Sequence, residues 1–246
     1  MQQPDVAAVI LAAGKGTRMG SDRAKVLHEL AGRALVLHVL DTCRAVGLRD
    51  LVVVVGHQRE AVEACVAAPD VRCVLQDRQL GTGHAVLVSE AAVARGTVVV
   101  LCGDAPLVPA ELLRRLLDRH AADGNACTAV AARMRDPTGY GRMVTDATGR
   151  LTAIVEQKDA SEAERRIDLV NSGIYAFARD ALYRLLHRLR PENAQGEYYL
   201  TDVVKMLVKE GRAVGLVVSE DPGAILGVNT PAQLAEAERL LAARVG

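Results

Sequence analysis

The sequence predicts an α/β protein, with a Rossmann-like, doubly wound and mostly parallel sheet. Three observations carry that expectation. Short β-branched runs alternate with longer Ala/Leu/Arg segments of helical period. Runs such as LVVVV and TVVVL are apolar on both faces, as strands covered by helices on both sides must be. The chain has 246 residues, half of them hydrophobic, which is enough to bury one substantial core.

The elements follow in order. Strands are expected at Val6–Ala12, Leu51–Val55, Val71–Leu75, Val98–Cys102 and Ala126–Arg133, with helices near Leu35–Val46, Arg59–Ala67, Gly83–Ala94 and Pro109–Ala121. After about Arg133 the rhythm changes. Turn-rich stretches at Asp136–Gly141, Thr145–Gly149 and Asp221–Gly223 separate shorter mixed strands at Arg142–Val144, Leu151–Val155 and Val170–Phe177. This region reads as a mixed β insertion walling one side of the sheet. Helices are expected at Tyr199–Glu210 and Thr230–Arg244, the latter with Thr230 as cap and Pro231 in the first turn. The predicted organisation is one domain over residues 1–229, with 136–220 as the substrate-side elaboration, and a C-terminal helix over 230–246. No internal repeat is present, and ILGVNT is a single copy rather than part of a hexapeptide array.

Composition narrows the function classes. Lys plus Arg equals Asp plus Glu at 30 each, and only 2% of residues are aromatic. Zero net charge and the lack of stacking material argue against a nucleic-acid partner. Cys43, Cys65, Cys73, Cys102 and Cys127 are odd in number and widely spaced, with no Cys-x-x-Cys; buried thiols in a reducing compartment are expected. The longest apolar run, Val6–Ala13, is far too short for a membrane span, and no basic residue precedes Lys15 as a secretory leader would require. A cytoplasmic location with no membrane partner is the expectation.

The chemistry is expected at the carboxyl ends of strands, where open α/β sheets bind ligands. VILAAGKGTRMG runs from a buried strand into a glycine-rich turn carrying Lys15 and Arg18, and such a turn holds phosphate through outward amides and charge. Gly14, Gly16 and Gly20 have the wrong spacing for a dinucleotide fingerprint, and Gly16 after Lys15 excludes a Walker loop. A plain strand-to-helix turn is the alternative. Lys25, eleven residues past Gly14, reads as a lysine folding over that phosphate or as a solvated surface lysine. Asp104 in LCGDAPL suits a magnesium ligand, an ion that takes one or two oxygens from protein; a helix cap is the competing reading. QDRQLGTG offers Gln76 to read a uracil edge and Gly81 to admit a planar base, or else forms an ordinary loop. Glu156 and Asn171 suit sugar hydroxyls, Glu156 alternatively pairing with Lys158. Asn229 reads as a metal ligand or an Asx turn. The six histidines show no paired spacing and receive no metal or base role.

In order, LAAGKGTRM, KVLH, QLGTGHA, GDAPL, DPTGYGR, IVEQKDA, VNSGIYAF, NAQGEYYLTD and GVNTPAQL resemble the bacterial N-acetylglucosamine-1-phosphate uridylyltransferases. The likeness is to the N-terminal pyrophosphorylase domain of the bifunctional enzymes in the sugar-nucleotidyltransferase superfamily, and it runs from about Val6 to about Leu241. LAAGKGTRM indicates the superfamily alone; QLGTGHA with NAQGEYYLTD narrows it. The resemblance implies the nucleotide-diphospho-sugar transferase fold and Mg2+-dependent transfer of UMP from UTP to N-acetylglucosamine 1-phosphate. It implies uridine contacts at Leu11, Ala12, Ala13, Gly14, Gln76, Gly81 and Thr82, and catalytic phosphate clamping by Arg18 and Lys25. Magnesium would be held by Asp104 and Asn229, and the amino sugar by Gly141, Glu156 and Asn171, with Tyr199 and Thr201 beside the pocket.

Three departures from the family stand out. Ala24 replaces a common proline, which predicts a loosely held Lys25. Cys102 occupies a position that often carries tyrosine, which bears on N-acetyl selectivity. The chain stops where the family's left-handed β-helix should begin, so neither the acetyltransferase half nor its trimer is implied, and a monomer or weak oligomer is expected. A different sugar phosphate, a thymidine nucleotide, or a non-catalytic nucleotide-sugar sensor are the alternative functions.

Overall fold

The computed structural model describes residues 5–245. The first strand, β1 (Val6–Leu11), lies inside a large sheet, between the strands Thr97–Cys102 and Leu51–Val55. A small hairpin, β2 (Glu29–Leu30) and β3 (Arg33–Ala34), precedes helix α1 (Leu35–Ala45). Then come β4 (Leu51–Val55), α2 (Arg59–Val66), β5 (Val71–Leu75), α3 (Thr82–Leu87), β6 (Thr97–Cys102), α4 (Ala110–Ala122) and β7 (Cys127–Arg133). The second half holds β8 (Arg142–Thr145), β9 (Leu151–Val155), α5 (Glu162–Arg165), β10 (Leu169–Ala178), α6 (Arg179–Leu186), α7 (Thr201–Lys209), β11 (Val214–Ser219) and α8 (Pro231–Val245). Among the described residues, the main sheet has the order β11-β7-β10-β6-β1-β4-β5, with the β8–β9 hairpin attached to β10.

Strands β5, β4, β1 and β6 are parallel, as the alternation predicts. Their side chains alternate faces with period two. Ala8, Ile10, Val53 and Leu101 meet Val36 and Leu40 of α1, Val62 of α2 and Leu113 of α4. Ala7, Val9, Val54 and Val100 meet Val86 of α3, Leu182 of α6 and Val204 of α7. Every residue of β4 is buried, so this core is aliphatic and double-sided. At roughly 25 cal/mol per Å2 of apolar surface, such burial contributes most of what holds the layers together. Helix α8 packs separately, through Ala237 against Leu30, Leu35 and Leu107. Among the described residues no helix is long and apolar enough to cross a membrane.

Several elements differ from expectation. The strand anticipated at Val170–Phe177 does not stand apart in an insertion. As the ten-residue β10 it runs inside the main sheet, antiparallel to both β6 and β7, so β7 does not adjoin the parallel block. Its apolar pattern is the same whichever neighbour it takes, so the sequence carries no record of its pairing. Helix α6 and strand β11, which pairs parallel with β7, complete the sheet beyond the anticipated elements. The helix expected over Gly83–Ala94 ends at Leu87 and is followed by a separate 3-10 turn at Glu90–Ala92. The β2–β3 hairpin turns through Ala31 and Gly32, both with positive φ.

This topology creates one functional edge. Leu11 pairs with both Val54 and Cys102, so β1, β4 and β6 end together. Because β10 is antiparallel to β6, its beginning, including Asn171, arrives at the same edge.

Candidate active site

The loop after β1 starts the site. Gly103 N donates to Leu11 O at 2.9 Å, binding the end of β6 to that of β1. The loop then turns at Gly16, whose φ is +67°. A Cβ there would lie 2.5 Å from Lys25 Cβ, so glycine lets the first basic turn pass directly beneath Lys25. Arg18 and Lys25 sit in two 3-10 turns, Thr17–Met19 and Lys25–Leu27.

Lys25 is not loosely held. Ala24 N donates to Gln58 Oε1 at 2.7 Å, and Gln58 Nε2 donates to Asp22 O at 2.8 Å. Ala24 is fully buried, with φ −53°. An alanine therefore takes a proline-like φ while supplying an N–H that proline lacks, and Gln58 does the bracing. The expectation from Ala24 is corrected on this point.

The loop before α8 closes the opposite side. Val228 N donates to Asp104 O at 2.8 Å, so Asn229 is drawn beside Asp104 across the end of β6. Thr230 caps α8 as anticipated: its hydroxyl accepts from Gln233 N at 3.2 Å, while Gln233 Oε1 accepts from Asn229 N at 2.9 Å. Asn229 Nδ2 donates to Gly227 O at 3.1 Å, which leaves its Oδ1 facing the cations. Lys25 Nζ donates to Asn229 Oδ1 at 2.8 Å and forms an ion pair with Asp104 Oδ2; Arg18 Nη2 donates to Asn229 Oδ1 at 3.0 Å. Residues separated by up to 211 positions thus meet at one point.

Two cavities flank that point and share Cys102 and Asp104. The first, about 330 Å3, is lined by Leu11, Ala12, Ala13, Gly14, Lys25, Gln76, Gly81 and Thr82, together with Gln79 and Glu197. The second, about 290 Å3, is lined by Arg18, Gly141, Glu156, Asn171 and Asn229, with Tyr140 and Gln233. Every residue expected to touch uridine, phosphate, metal or amino sugar lines one cavity or both. The wall of the first cavity is tied down at Gly81, with φ +109°, where a Cβ would lie 2.7 Å from Tyr198 O. Gly83 N donates to Tyr198 O at 2.7 Å and Leu200 N to Thr82 Oγ1 at 3.0 Å, joining QLGTG to GEYYL. Gln79 Nε2 donates to Ala13 O at 2.6 Å, an anchoring role with no signature in the QDRQLGTG motif itself.

In the second cavity, a bulge in β10 between Asn171 and Tyr175 re-aims the strand. Asn171 Oδ1 accepts from Tyr175 OH at 2.8 Å, and Asn171 N donates to Gly141 O at 2.9 Å. Buried Arg142 donates to Tyr140 O and, at 2.7 Å, to Gln157 Oε1, bracing the Gly139–Gly141 turn from below. Glu156 Oε1 accepts from Thr201 Oγ1 at 3.1 Å rather than pairing with Lys158. Burial, first, pushes the Glu156 carboxyl above its ordinary range; Asp159, Asp202 and Glu197 add to this and the Thr201 bond opposes it. Tyr199 lines a third cavity of about 460 Å3 together with Glu156 and Arg18. Burial drives the Cys102 thiol up to about 12, with the Asp104 charge adding, so a neutral thiol stands at the seam.

A divalent ion fits the residues present. Asp104 and Asn229 offer two oxygens that already converge on one cation, the Lys25 ammonium. Magnesium takes oxygen donors and commonly only one or two from protein, the rest coming from phosphates and water. Among the described residues no group of three or more His, Cys, Asp and Glu could cage a metal, so the donor set is an open one.

Comparison with known proteins adds three findings. Residues 8–196 match the MobA-like NTP transferase domain family. A bifunctional protein GlmU from Streptomyces coelicolor is 52% identical over 241 residues, covering 96% of this chain and 50% of that protein. The counterpart from Desulfotalea psychrophila is 43% identical, covering 97% of this chain and 71% of its own length. The chain spans about half the length of the Streptomyces relative. Among solved structures, a Bacillus anthracis protein described as a glucose-1-phosphate thymidylyltransferase, in complex with sucrose, superposes with a TM-score of 0.80. It covers 96% of this chain and 94% of its own at 18% identity, a likeness of fold.

Proposed function

We propose, from the premise that this chain belongs to the MobA-like NTP transferase family and corresponds to the N-terminal part of the GlmU proteins, that it transfers UMP from UTP to N-acetylglucosamine 1-phosphate and releases pyrophosphate. The convergence of Lys25, Arg18, Asp104 and Asn229 on the seam between two cavities carries this reading. One cavity takes the nucleotide and the other the sugar phosphate, so the reacting groups meet where the charges meet. We assign residues 1–229 to the transferase domain, 136–220 to its sugar side and 230–246 to a supporting helix.

Leu11–Gly14, Gln76, Gly81 and Thr82 hold the uridine on this reading, while Gly141, Glu156 and Asn171 hold the amino sugar. A sugar phosphate has a second pKa of about 6 and is mostly dianionic at neutral pH. Its oxygen attacks the α-phosphorus of UTP, forming a new P–O bond as the bond to the β-phosphate bridge breaks. No general base is needed, and catalysis consists of alignment and charge compensation. Asp104 and Asn229 would hold a magnesium ion, which when bound neutralises phosphate charge as a Lewis acid. Lys25 and Arg18 stabilise charge on the α-phosphate and the departing pyrophosphate.

Pyrophosphate release measured over a grid of sugar 1-phosphates and nucleoside triphosphates tests the reading. The expected outcome is a maximum at UTP with N-acetylglucosamine 1-phosphate and collapse of kcat in Asp104→Ala with the fold retained. A maximum at another pair, or near-normal turnover in that variant, overturns it.

A further inference from the structure

Gln76 follows β5 directly, is only 4% exposed, and lines the cavity assigned to the base. Its Nε2 lies 3.1 Å from Gly81 O and 3.1 Å from His84 Nδ1. A backbone carbonyl can only accept, so the amide nitrogen must be the atom facing Gly81. Both of its hydrogens are then spent, one on Gly81 and one on His84. His84 Nδ1 must accept, which requires the neutral ring. Burial, chiefly, holds His84 below the ordinary imidazole range. The Arg78 backbone opposes that shift and the Arg78 charge adds to it. Gln76 Oε1 has no partner among the described residues. His84 itself does not line the base cavity but a separate one of about 240 Å3 behind it, with Leu80, Leu87, Leu189 and Tyr198.

We propose that His84 is a positioning residue that locks the Gln76 carboxamide with its oxygen toward the base, so that the site selects a pyrimidine carrying N3–H over one whose N3 is bare. The inference rests on the uridylyl-transfer reading and deepens it. Uracil N3–H donates to Oε1. Cytosine N3 has no hydrogen and would set one acceptor against another. Rotating Gln76 to serve cytosine would put Oε1 against Gly81 O and His84 Nδ1 together, while its N–H groups lost both partners. Sites built on a buried hydrogen-bonding group reject the mismatched analogue strongly, because the group is left unpaired.

The test is the ratio of kcat/KM for UTP to that for CTP, with N-acetylglucosamine 1-phosphate as acceptor, in the intact chain. His84→Leu keeps bulk but accepts no hydrogen bond, and the ratio should fall by about tenfold, the equivalent of one lost hydrogen bond. His84→Asn restores an acceptor and should keep the ratio within about threefold of wild type. KM for the sugar phosphate should be unchanged in both, whereas a general loss of structure would move it too. An unchanged ratio in folded His84→Leu overturns the proposal, as does a fall in His84→Asn equal to that in His84→Leu. Calorimetric affinities for UDP and CDP in the same three proteins decide it without turnover. If wild type turns over no UTP, the uridylyl reading fails, and the UDP/CDP ratio still tests His84.

Discussion

Lys25→Met and Asp104→Asn, made singly and together, separate the energy of the Lys25–Asp104 ion pair from its part in the reaction. The two side chains are 18% and 11% exposed. Losing one partner of a fully buried pair costs about 3–5 kcal/mol and an exposed pair is worth about 1 kcal/mol or less, so this intermediate site should lose about 2 kcal/mol per single replacement. Lys25→Met is the more harmful of the two. It leaves a largely buried carboxylate unpaired, whereas in Asp104→Asn the ammonium keeps Asn229 Oδ1 at 2.8 Å. For a chain of this length, that predicts a Tm lower by about 4–8 °C in each single variant. The double variant should be no worse than Lys25→Met, which leaves a coupling of about 1.5–2 kcal/mol. Thermal unfolding followed by circular dichroism at fixed pH measures all three. Additivity within about 0.5 kcal/mol would refute the reasoning, because it would mean that the two charges do not compensate each other. A metal arm sharpens the test. The wild-type ammonium already occupies both oxygens, so Mg2+ without nucleotide should leave wild-type Tm unmoved but raise that of Lys25→Met. Equal shifts in the two proteins would contradict that competition.

Glu156→Gln tests the raised carboxyl. Because the folded protein holds this proton to higher pH than the unfolded chain does, wild type loses stability as pH rises from about 4.5 through the raised value; glutamine removes that loss. The Tm difference, variant minus wild type, should therefore be larger at pH 7 than at pH 4, and KM for the sugar phosphate should rise by about tenfold or more as a charged hydrogen bond is lost; a pH-independent difference would rule the effect out. Gly81→Ala forces a side chain to φ +109° and toward Tyr198 O, so about 1–3 kcal/mol of strain should lower Tm and raise KM for UTP, leaving KM for the sugar phosphate nearly unmoved. Gln58→Leu removes the brace on Ala24 and Asp22, and hydrogen exchange at residues 22–27 should quicken with a several-fold fall in kcat, consistent with about 1 kcal/mol per lost bond. Unaltered exchange there would show that Lys25 is held by other contacts.

The parallel block and its edge were legible because they rest on local pattern. Val6–Leu11 and Leu51–Val55 are apolar on both faces, and the glycine-rich turn and Asp104 follow strand ends directly. The site residues lay in short motifs, most with an ordinary structural reading (a turn, a helix cap, a surface lysine or an ion pair) when taken singly, and only their order along the chain set them apart. Other features had no local trace. Leu169–Ala178 reads the same beside either neighbour, because a period of two marks faces and says nothing of direction. His84 drew no role from spacing, since its partner is a glutamine amide rather than a metal or a nucleophile. Gln58 lies 34 residues from the N–H it accepts.

Composition and periodicity alone therefore determined an aliphatic, double-sided α/β core with loops bearing charge at the strand ends. Only the tertiary structure decided that β10 runs antiparallel through the sheet, which brings Asn171 to the edge where β1 and β6 finish. It also decided that Lys25 and Asn229, 204 residues apart, share one oxygen-lined point with Asp104. The physical reason is that hydrophobic burial is non-directional and legible from residue type, whereas strand neighbours and ion pairs are set by directional hydrogen bonds between distant segments.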